Sequence, residues 1–358
     1  MKKGLIITAG AILSLLVGCA EVQETPTYVP GKTQIFSTEA DNTSGALGVI
    51  SNGEYANITP SQGISSDAVT IVQNDEQYIL DRTFSTVTKV SGGTPLYQER
   101  IENLANPHDL VVASDSKGYI CFNSSDSLAI FNPSTGIVSG YISLSSVAHD
   151  SVTTNATKMQ LVGTDLYIGC QMRSGYTPME NSLIIKVDTK TETISETISC
   201  TFKNVFDLDY YEGYLYVTNM GSWGGTDGAI EVIDITTNTV STLISGVDAG
   251  SNLSSIAING EGNELYATMY KVITYTPWVS ETPLITYSLS DGVAMDTLEG
   301  ITKATTPVFD SAKRKLYFGD ATETPSMVIY DPIIDSISHF STTLKPSSVS
   351  FITEMIEE

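Results

Sequence analysis

The sequence has little positive charge and few charged residues of either sign. Its 358 residues include 18 Lys and Arg against 41 Asp and Glu, which gives a formal net charge of −23 at pH 7. A chain this acidic repels phosphate backbones, and no cluster of basic residues along the sequence offsets the charge, so nucleic-acid binding is not expected. Charged residues make up only 16% and hydrophobic residues 41%. That composition excludes a disordered chain and a polytopic membrane protein.

The sequence also lacks the short patterns that identify common enzymes and zinc sites. There is no Gly-x-Ser-x-Gly turn, no glycine-rich phosphate loop and no His-Glu-x-x-His helix. No Cys-x-x-Cys pair or His–Cys cluster is present, so a structural zinc site is not expected. The sequence therefore provides no direct indication of a reaction.

Cysteine is scarce, with four residues in the chain. Apart from Cys19, the remaining three are Cys121, Cys170 and Cys200. An odd number in an oxidising compartment leaves at least one thiol unpaired, and no pair is placed in obvious reach by the repeat described below. We expect all three to be buried free thiols.

The first 32 residues predict export and anchoring. Met1-Lys2-Lys3 is a basic start, and the apolar run that follows is too short for a membrane-spanning helix, so residues 1–18 are predicted to be a signal peptide. Leu16-Val17-Gly18-Cys19 resembles a bacterial lipoprotein lipobox, which implies cleavage before Cys19 and its acylation. An ordinary signal peptide that happens to contain Cys remains the alternative. Residues 19–32 are predicted to be a lipidated Cys and a flexible tether.

Location follows from the same segment. A lipid anchor at Cys19 places the protein in the bacterial cell envelope, with the membrane as a partner. Ala20 and Glu21 supply no inner-membrane retention Asp after the Cys, which favours the outer membrane. Which side of that membrane carries the protein is left open.

A Leu-Tyr pair followed by a short β-type run recurs along the chain. Clear copies are Leu166-Tyr167, Leu215-Tyr216, Leu265-Tyr266 and Leu316-Tyr317, with weaker copies at Tyr78 and Tyr119. The tyrosines are 41 to 51 residues apart. Each clear copy has an apolar run before it and two alternating runs after it, without helical periodicity. Four short strands in each repeat of this length are typical of a β-propeller blade.

The two ends of the chain predict how the propeller closes. Length divided by repeat length gives seven blades. Thr33–Thr38 matches a second strand, whereas Pro346–Ile352 resembles a first strand with no partners after it. Pairing the C-terminal inner strand with the N-terminal strands completes the seventh blade and removes an open sheet edge. We therefore predict an all-β fold, a seven-bladed propeller of four-stranded blades, forming one domain at 33–358.

The repeat carries a family resemblance. Asp310-Ser311-Ala312-Lys313-Arg314-Lys315-Leu316-Tyr317, continuing to Ile329-Tyr330-Asp331, is similar to the repeat of YncE-like and lactonase-like seven-bladed propellers. The resemblance covers about residues 33–352. It implies the fold and leaves the function open, because the family contains enzymes, binding proteins and proteins of unknown role.

Polar residues at the starts of the first strands and large residues in the second-to-third loops are predicted to share one face, around the mouth of the central channel. Aromatic side chains above a polar channel are typical of a ligand site. Alternatively, these aromatics only pack the loops onto their own blades. The candidate ligand-binding residues are His108, Asp109, Lys158, Arg173, Asp207, Trp223, Tyr275 and Trp278.

Two main functions follow. The favoured one is a non-enzymatic, monomeric envelope lipoprotein that needs no cofactor and binds a small molecule, a glycan or a protein on the loop face. The alternative is a metal-dependent hydrolase or lyase, lactonase-like, with a divalent metal in the channel near His108, Asp109 and Asp207. A purely structural envelope component is a third possibility.

Overall fold

The structure, a computed structural model, describes residues 28–41, 43–58, 63–101 and 106–357. The predicted signal peptide at 1–18 and the predicted lipidation site Cys19 lie outside the described residues, as does the predicted tether up to residue 27. Residues 28–32, which were predicted to belong to the tether, are part of the first strand. Within the described ranges, no helix is both long enough and apolar enough to cross a membrane.

The described chain forms seven antiparallel sheets of four strands, each of which is one blade. Strands are numbered along the chain and blades in chain order, and the strands of each blade are given from the first strand to the fourth. Blade 1 contains β31 (Lys345–Glu357), β1 (Tyr28–Ala40), β2 (Gly45–Ser51) and β3 (Glu54–Ile58). Blade 2 contains β4 (Ala68–Gln73), β5 (Glu76–Asp81), β6 (Thr86–Ser91) and β7 (Thr94–Arg100). Blade 3 contains β8 (Pro107–Ser114), β9 (Lys117–Phe122), β10 (Ser127–Phe131) and β11 (Val138–Ser143).

The remaining blades carry additional short elements between their main strands. Blade 4 contains β12 (Ala156–Val162), β13 (Asp165–Cys170), β16 (Leu183–Asp188) and β17 (Thr193–Ser199), with a hairpin of β14 (Arg173–Ser174) and β15 (Thr177–Pro178) between β13 and β16. Blade 5 contains β18 (Val205–Tyr211), β19 (Tyr214–Asn219), β20 (Ala229–Asp234) and β21 (Thr239–Ser245), followed by the one-turn helix α1 (Gly246–Ala249). Blade 6 contains β22 (Asn252–Asn259), β23 (Glu264–Tyr275), β25 (Leu284–Ser288) and β26 (Ala294–Thr297), with β24 (Trp278–Glu281) paired to the end of β23. Blade 7 contains β27 (Val308–Asp310), β28 (Lys315–Asp320), β29 (Ser326–Asp331) and β30 (Ser336–Ser341).

The first strands surround a central channel, because the first strands of neighbouring blades contact one another all the way around the ring. Apolar side chains of adjacent blades pack together between the sheets. For example, Tyr167 and Ile184 of blade 4 share a buried cluster with Val205 and Leu208 of blade 5. The tyrosines that mark the repeat lie on second strands and are buried in these clusters. The predicted all-β, seven-bladed fold is confirmed.

The ring closes in blade 1, as predicted. β31 is the first strand of that blade and pairs antiparallel with β1, with Ile35 opposite Phe351 and Ser37 opposite Val349. Both strands are 13 residues long, whereas β8 and β9 of blade 3 have 8 and 6. The face that carries the second-to-third connections is called the loop face. Since β1 ends at such a connection, its extended start lies on the opposite face.

The three cysteines that the structure describes are free and buried, which confirms the prediction for Cys121, Cys170 and Cys200. Burial raises the pKa of each thiol above its ordinary value. A thiol held in its protonated form is a poor nucleophile and a poor metal ligand. These residues therefore act as small apolar side chains of the blade interfaces.

Candidate functional site

The predicted site residues fall into two groups. Four lie in second-to-third connections, on the loop face, as predicted. They are Arg173 in β14, Trp223 between β19 and β20, Tyr275 at the end of β23, and Trp278 in β24. The other four lie on first strands beside the channel. They are His108 and Asp109 in β8, Lys158 in β12, and Asp207 in β18.

Trp223 joins the loops of blades 5 and 6. Its ring meets Tyr270 edge-on with centroids 5.1 Å apart, and it meets Phe206 at 6.4 Å. Phe206 is the extra residue of a bulge in the first strand of blade 5, so the backbone irregularity turns its ring toward the loop. Despite these contacts, 49% of Trp223 remains exposed. Packing and exposure therefore coexist at this residue.

Trp278 lies on the hairpin that extends blade 6 above the loop face. Its ring meets that of Tyr275 edge-on at 5.3 Å, and the two residues are 52% and 64% exposed. Gly224, next to Trp223, brings the blade 5 loop against this hairpin. A Cβ at Gly224 would lie 2.5 Å from Val272 and 3.2 Å from the Tyr275 hydroxyl, so a larger residue does not fit. The rings of Phe206, Trp223, Tyr270, Tyr275 and Trp278 are together called the aromatic surface.

Asp109 and Asp207 hold neighbouring first strands together. The main-chain N–H of Met159 donates to Asp109 (2.8 Å), and that of Ile256 donates to Asp207 (3.1 Å). In each pair the donor belongs to the first strand of the next blade, whose inner edge has no further strand to pair with. Ser348 accepts from the N–H of Thr70 (2.8 Å) in the same way. These side chains therefore form a structural bridge that repeats at three blade junctions.

Lys158 occupies the corresponding position in blade 4 and cannot accept a hydrogen bond. Its Nζ lies 3.6 Å from Oδ1 of Asp207. Burial disfavours the charged ammonium, but the charges of Asp207 and Asp109 outweigh burial and raise the pKa of Lys158. Burial also raises the pKa of Asp109, and Lys158 acts against that rise. Lys158 is therefore a positive charge at the channel wall.

His108 is neutral at physiological pH and lies among three cations. Its Nδ1 is 2.9 Å from the hydroxyl of Thr157. Burial holds the pKa of His108 well below its usual range, and the charges of Arg82, Lys158 and Arg173 lower it further. Sequence analysis missed Arg82, which follows β5 directly in the second-to-third turn of blade 2. Arg82, His108, Lys158 and Arg173 are called the mouth cluster.

A cavity of about 620 Å³ runs along the first strands of blades 5, 6 and 7. Lys158 and Asp207 line one end, and Glu212 and Glu261 line the other, in the first-to-second turns of the opposite face. Asp209 lies between these ends. Burial raises its pKa to about 6, while the N–H of Tyr210 opposes the rise and the charge of Asp207 adds to it. The cavity therefore extends away from the aromatic surface.

Within the part of the chain that the structure describes, no three His, Cys, Asp or Glu side chains are grouped to hold a metal ion. His149 pairs with Glu180 (3.1 Å), and His339 bonds Ser326 on the outer part of blade 7. The residues that the metal-dependent alternative requires, His108, Asp109 and Asp207, instead have the separate partners described above.

Solved structures with the same architecture are found at low sequence identity. Apo AztD from Citrobacter koseri is 10% identical, with 91% of this chain and 99% of that chain covered and a TM-score of 0.56. A candidate 6-phosphogluconolactonase from Bacteroides fragilis is also 10% identical, with 90% and 98% covered and a TM-score of 0.60. The computationally designed protein Ika8 is 12% identical, with 87% and 86% covered and a TM-score of 0.56.

No protein-family model and no curated protein sequence matches the chain. At identities of 10–12%, the likeness to solved structures concerns the fold alone. The four-stranded blades, the closure through β1 and β31 and these likenesses lead to one conclusion. The chain is a seven-bladed β-propeller.

Proposed function

We propose that the chain is a lipid-anchored binding protein of the bacterial cell envelope, and that it binds a ligand or partner protein on its loop face without catalysis. The observation that carries the proposal is the aromatic surface. Trp223, Tyr275 and Trp278 each keep about half of their area or more in contact with solvent. Large, adjoining exposed aromatic side chains are uncommon on monomeric proteins outside binding sites.

The aromatic surface is also held in place before any ligand arrives. Its edge-to-face contacts restrict the rings, and the close approach at Gly224 fixes the blade 5 loop against the blade 6 hairpin. A restricted side chain loses little conformational entropy on binding. Ile273 and Val279, exposed on the same hairpin, enlarge the apolar area. This arrangement supports binding by a preformed surface.

The direction of β1 supports the orientation that such a protein requires. The strand begins on the opposite face at Tyr28, and the residues from Cys19 to 27 can span at most about 30 Å. An anchor at Cys19 would therefore hold the opposite face toward the membrane and leave the loop face free. The residues after Cys19 favour the outer membrane, and the protein is proposed to act as a monomer.

The binding proposal is tested with the double substitution Trp223→Ala/Trp278→Ala. A thermal-shift screen of envelope glycans and metabolites against the wild-type protein identifies a ligand, whose affinity is then measured by calorimetry. The double variant should bind at least about tenfold more weakly, because two anchoring rings are lost. Its circular-dichroism spectrum should match that of the parent, because both rings lie outside the blades.

The control is Tyr214→Ala/Ile333→Ala, which removes two exposed apolar side chains from turns of the opposite face. This variant should bind normally. Unchanged affinity in the tryptophan variant would move the site elsewhere, and loss of folding would show that the rings serve to pack the loops.

The anchor is tested separately with Cys19→Ser. Without the acyl acceptor, the protein should move from the membrane fraction to the soluble envelope fraction, as measured by fractionation and immunoblotting. Retention of the Ser variant in the membrane fraction would refute the lipoprotein proposal and leave the binding proposal standing.

A further inference from the structure

The mouth cluster contains two buried hydrogen-bond donors without partners. Nε of Arg82 and Nε of Arg173 are both buried, and neither has a hydrogen-bond partner in the protein. Among the described residues, the other buried side-chain polar atoms in this condition are all oxygens. A buried N–H that is not hydrogen-bonded is unusual in folded proteins and indicates a missing acceptor. Here two such donors occur in one cluster.

Other contacts hold both guanidinium groups in position. Nη1 of Arg82 lies 3.1 Å from Oδ1 of Asp67, and Nη2 of Arg173 donates to Oδ1 of Asn123. Asn123 in turn donates to Gln171 (3.1 Å), which fixes its orientation. A guanidinium is rigid and planar, so a bond at one nitrogen also sets the direction of the others. The two Nε donors are therefore preset rather than free to turn into solvent.

The cluster also has positive charge left to share. Asp67 pairs with Arg82 and Asp207 pairs with Lys158. Arg173 forms no ion pair with any described carboxylate, although it is partly buried. Asp109, the other carboxylate nearby, already accepts the N–H of Met159. The unmatched charge at the mouth is therefore that of Arg173, in a protein that is strongly acidic elsewhere.

We propose that Arg82, Arg173 and Lys158 form a binding site at the channel mouth for an oxyanion, a carboxylate or phosphate group carried by a small molecule. Arginine Nε and Nη donors match the spacing of two oxygens on such a group, and the bonds are charge-assisted. Neutral His108, beside Thr157, adds a polar group without competing charge. This inference rests on the proposed function, because it assigns the chemical class of a ligand on the loop face.

The inference is tested by calorimetry on the full chain at low ionic strength, with inorganic phosphate and citrate as separate probes. The wild-type protein should bind at least one probe, and the stronger probe identifies the oxyanion as phosphate or carboxylate. Arg173→Gln and Arg82→Gln should each weaken that binding about tenfold or more. Arg173→Lys keeps the charge but has no Nε–H, so it should weaken binding as well. The control Lys190→Gln, in an exposed turn on the opposite face, should bind as the parent does.

The outcomes separate this inference from the proposed function. Absence of binding by both probes, binding that survives both Gln variants, or full affinity in Arg173→Lys would overturn the oxyanion site. Trp223→Ala/Trp278→Ala should bind the probe normally, since the aromatic surface lies over blades 5 and 6. If the Trp variant loses its identified ligand but keeps the probe, both proposals stand. If the Trp variant keeps its ligand while Arg173→Gln loses the probe, only the aromatic-surface proposal fails.

Discussion

Replacing Asp209 by Asn should stabilise the protein at neutral pH. Asp209 lies on β18 beside the channel cavity, and its carboxylate accepts the N–H of Tyr210 (2.8 Å). Burial raises its pKa from the ordinary 3.8 to about 6. The amide of Asn retains an acceptor oxygen for this bond and carries no charge. The substitution therefore removes mainly the cost of a buried negative charge.

The size of the effect follows from the two pKa values. Between pH 3.8 and about 6, the unfolded chain has released the Asp209 proton while the folded chain still holds it. Stability from this group is therefore complete below the unfolded pKa and is lost as the pH rises through the folded pKa. The difference corresponds to about 3 kcal/mol of unfolding free energy. Asp209→Asn should thus be up to about 3 kcal/mol more stable than the parent at pH 7.5, with little difference at pH 4.

Urea unfolding followed by circular dichroism at pH 4 and pH 7.5 measures this difference. Asp75→Asn is the matched control, because Asp75 is exposed in the turn between β4 and β5. The control should shift stability little at either pH. An Asp209→Asn variant whose stability relative to the parent is the same at both pH values would refute the reasoning. So would a variant that is less stable than the parent at pH 7.5.

Three further outcomes are expected. Deleting residues 346–358 should prevent folding in a circular-dichroism melt, because blade 1 loses its first strand and the cost approaches the whole stability of about 5–15 kcal/mol; normal melting would contradict the closure. Asp109→Ala should lower the urea-unfolding free energy by about 1–3 kcal/mol, because the N–H of Met159 loses its acceptor; unchanged stability would argue against the bridging role. Iodoacetamide should label the native protein slowly and the unfolded protein fast at Cys121, Cys170 and Cys200; rapid native labelling would contradict their burial.

The fold could be predicted from the sequence because its main signals are local. Alternating apolar residues mark the strands, and the recurring Leu-Tyr pair marks the second strand of each later blade. Closure could be predicted because Pro346–Ile352 and Thr33–Thr38 complement each other. The start of β1 was placed too late, since Pro30 and Gly31 are typical of a tether. They lie at a bulge in the pairing with β31, where the ladder tolerates them.

The site could be predicted only in part, because its contacts join different blades. The positions of Trp223 and Trp278 on the loop face follow from the repeat. Their edge-to-face partners Tyr270 and Tyr275 depend on how two connections pack. Arg82 gave no signal, because one Arg in a short turn resembles any other exposed turn residue. Its place in the mouth cluster depends on the side chains of blades 3 and 4.

The position of β1 within its blade determines how the domain resists mechanical force. β1 is hydrogen-bonded on both sides, to β31 along one edge and to β2 along the other. A pull on the N-terminus acts parallel to the strand and across its hydrogen bonds. It therefore loads both ladders in shear, so that many bonds share the force, rather than opening them one at a time. Tension from a tether would reach the ring through its strongest loading geometry and leave the connections of blades 5 and 6 unstrained.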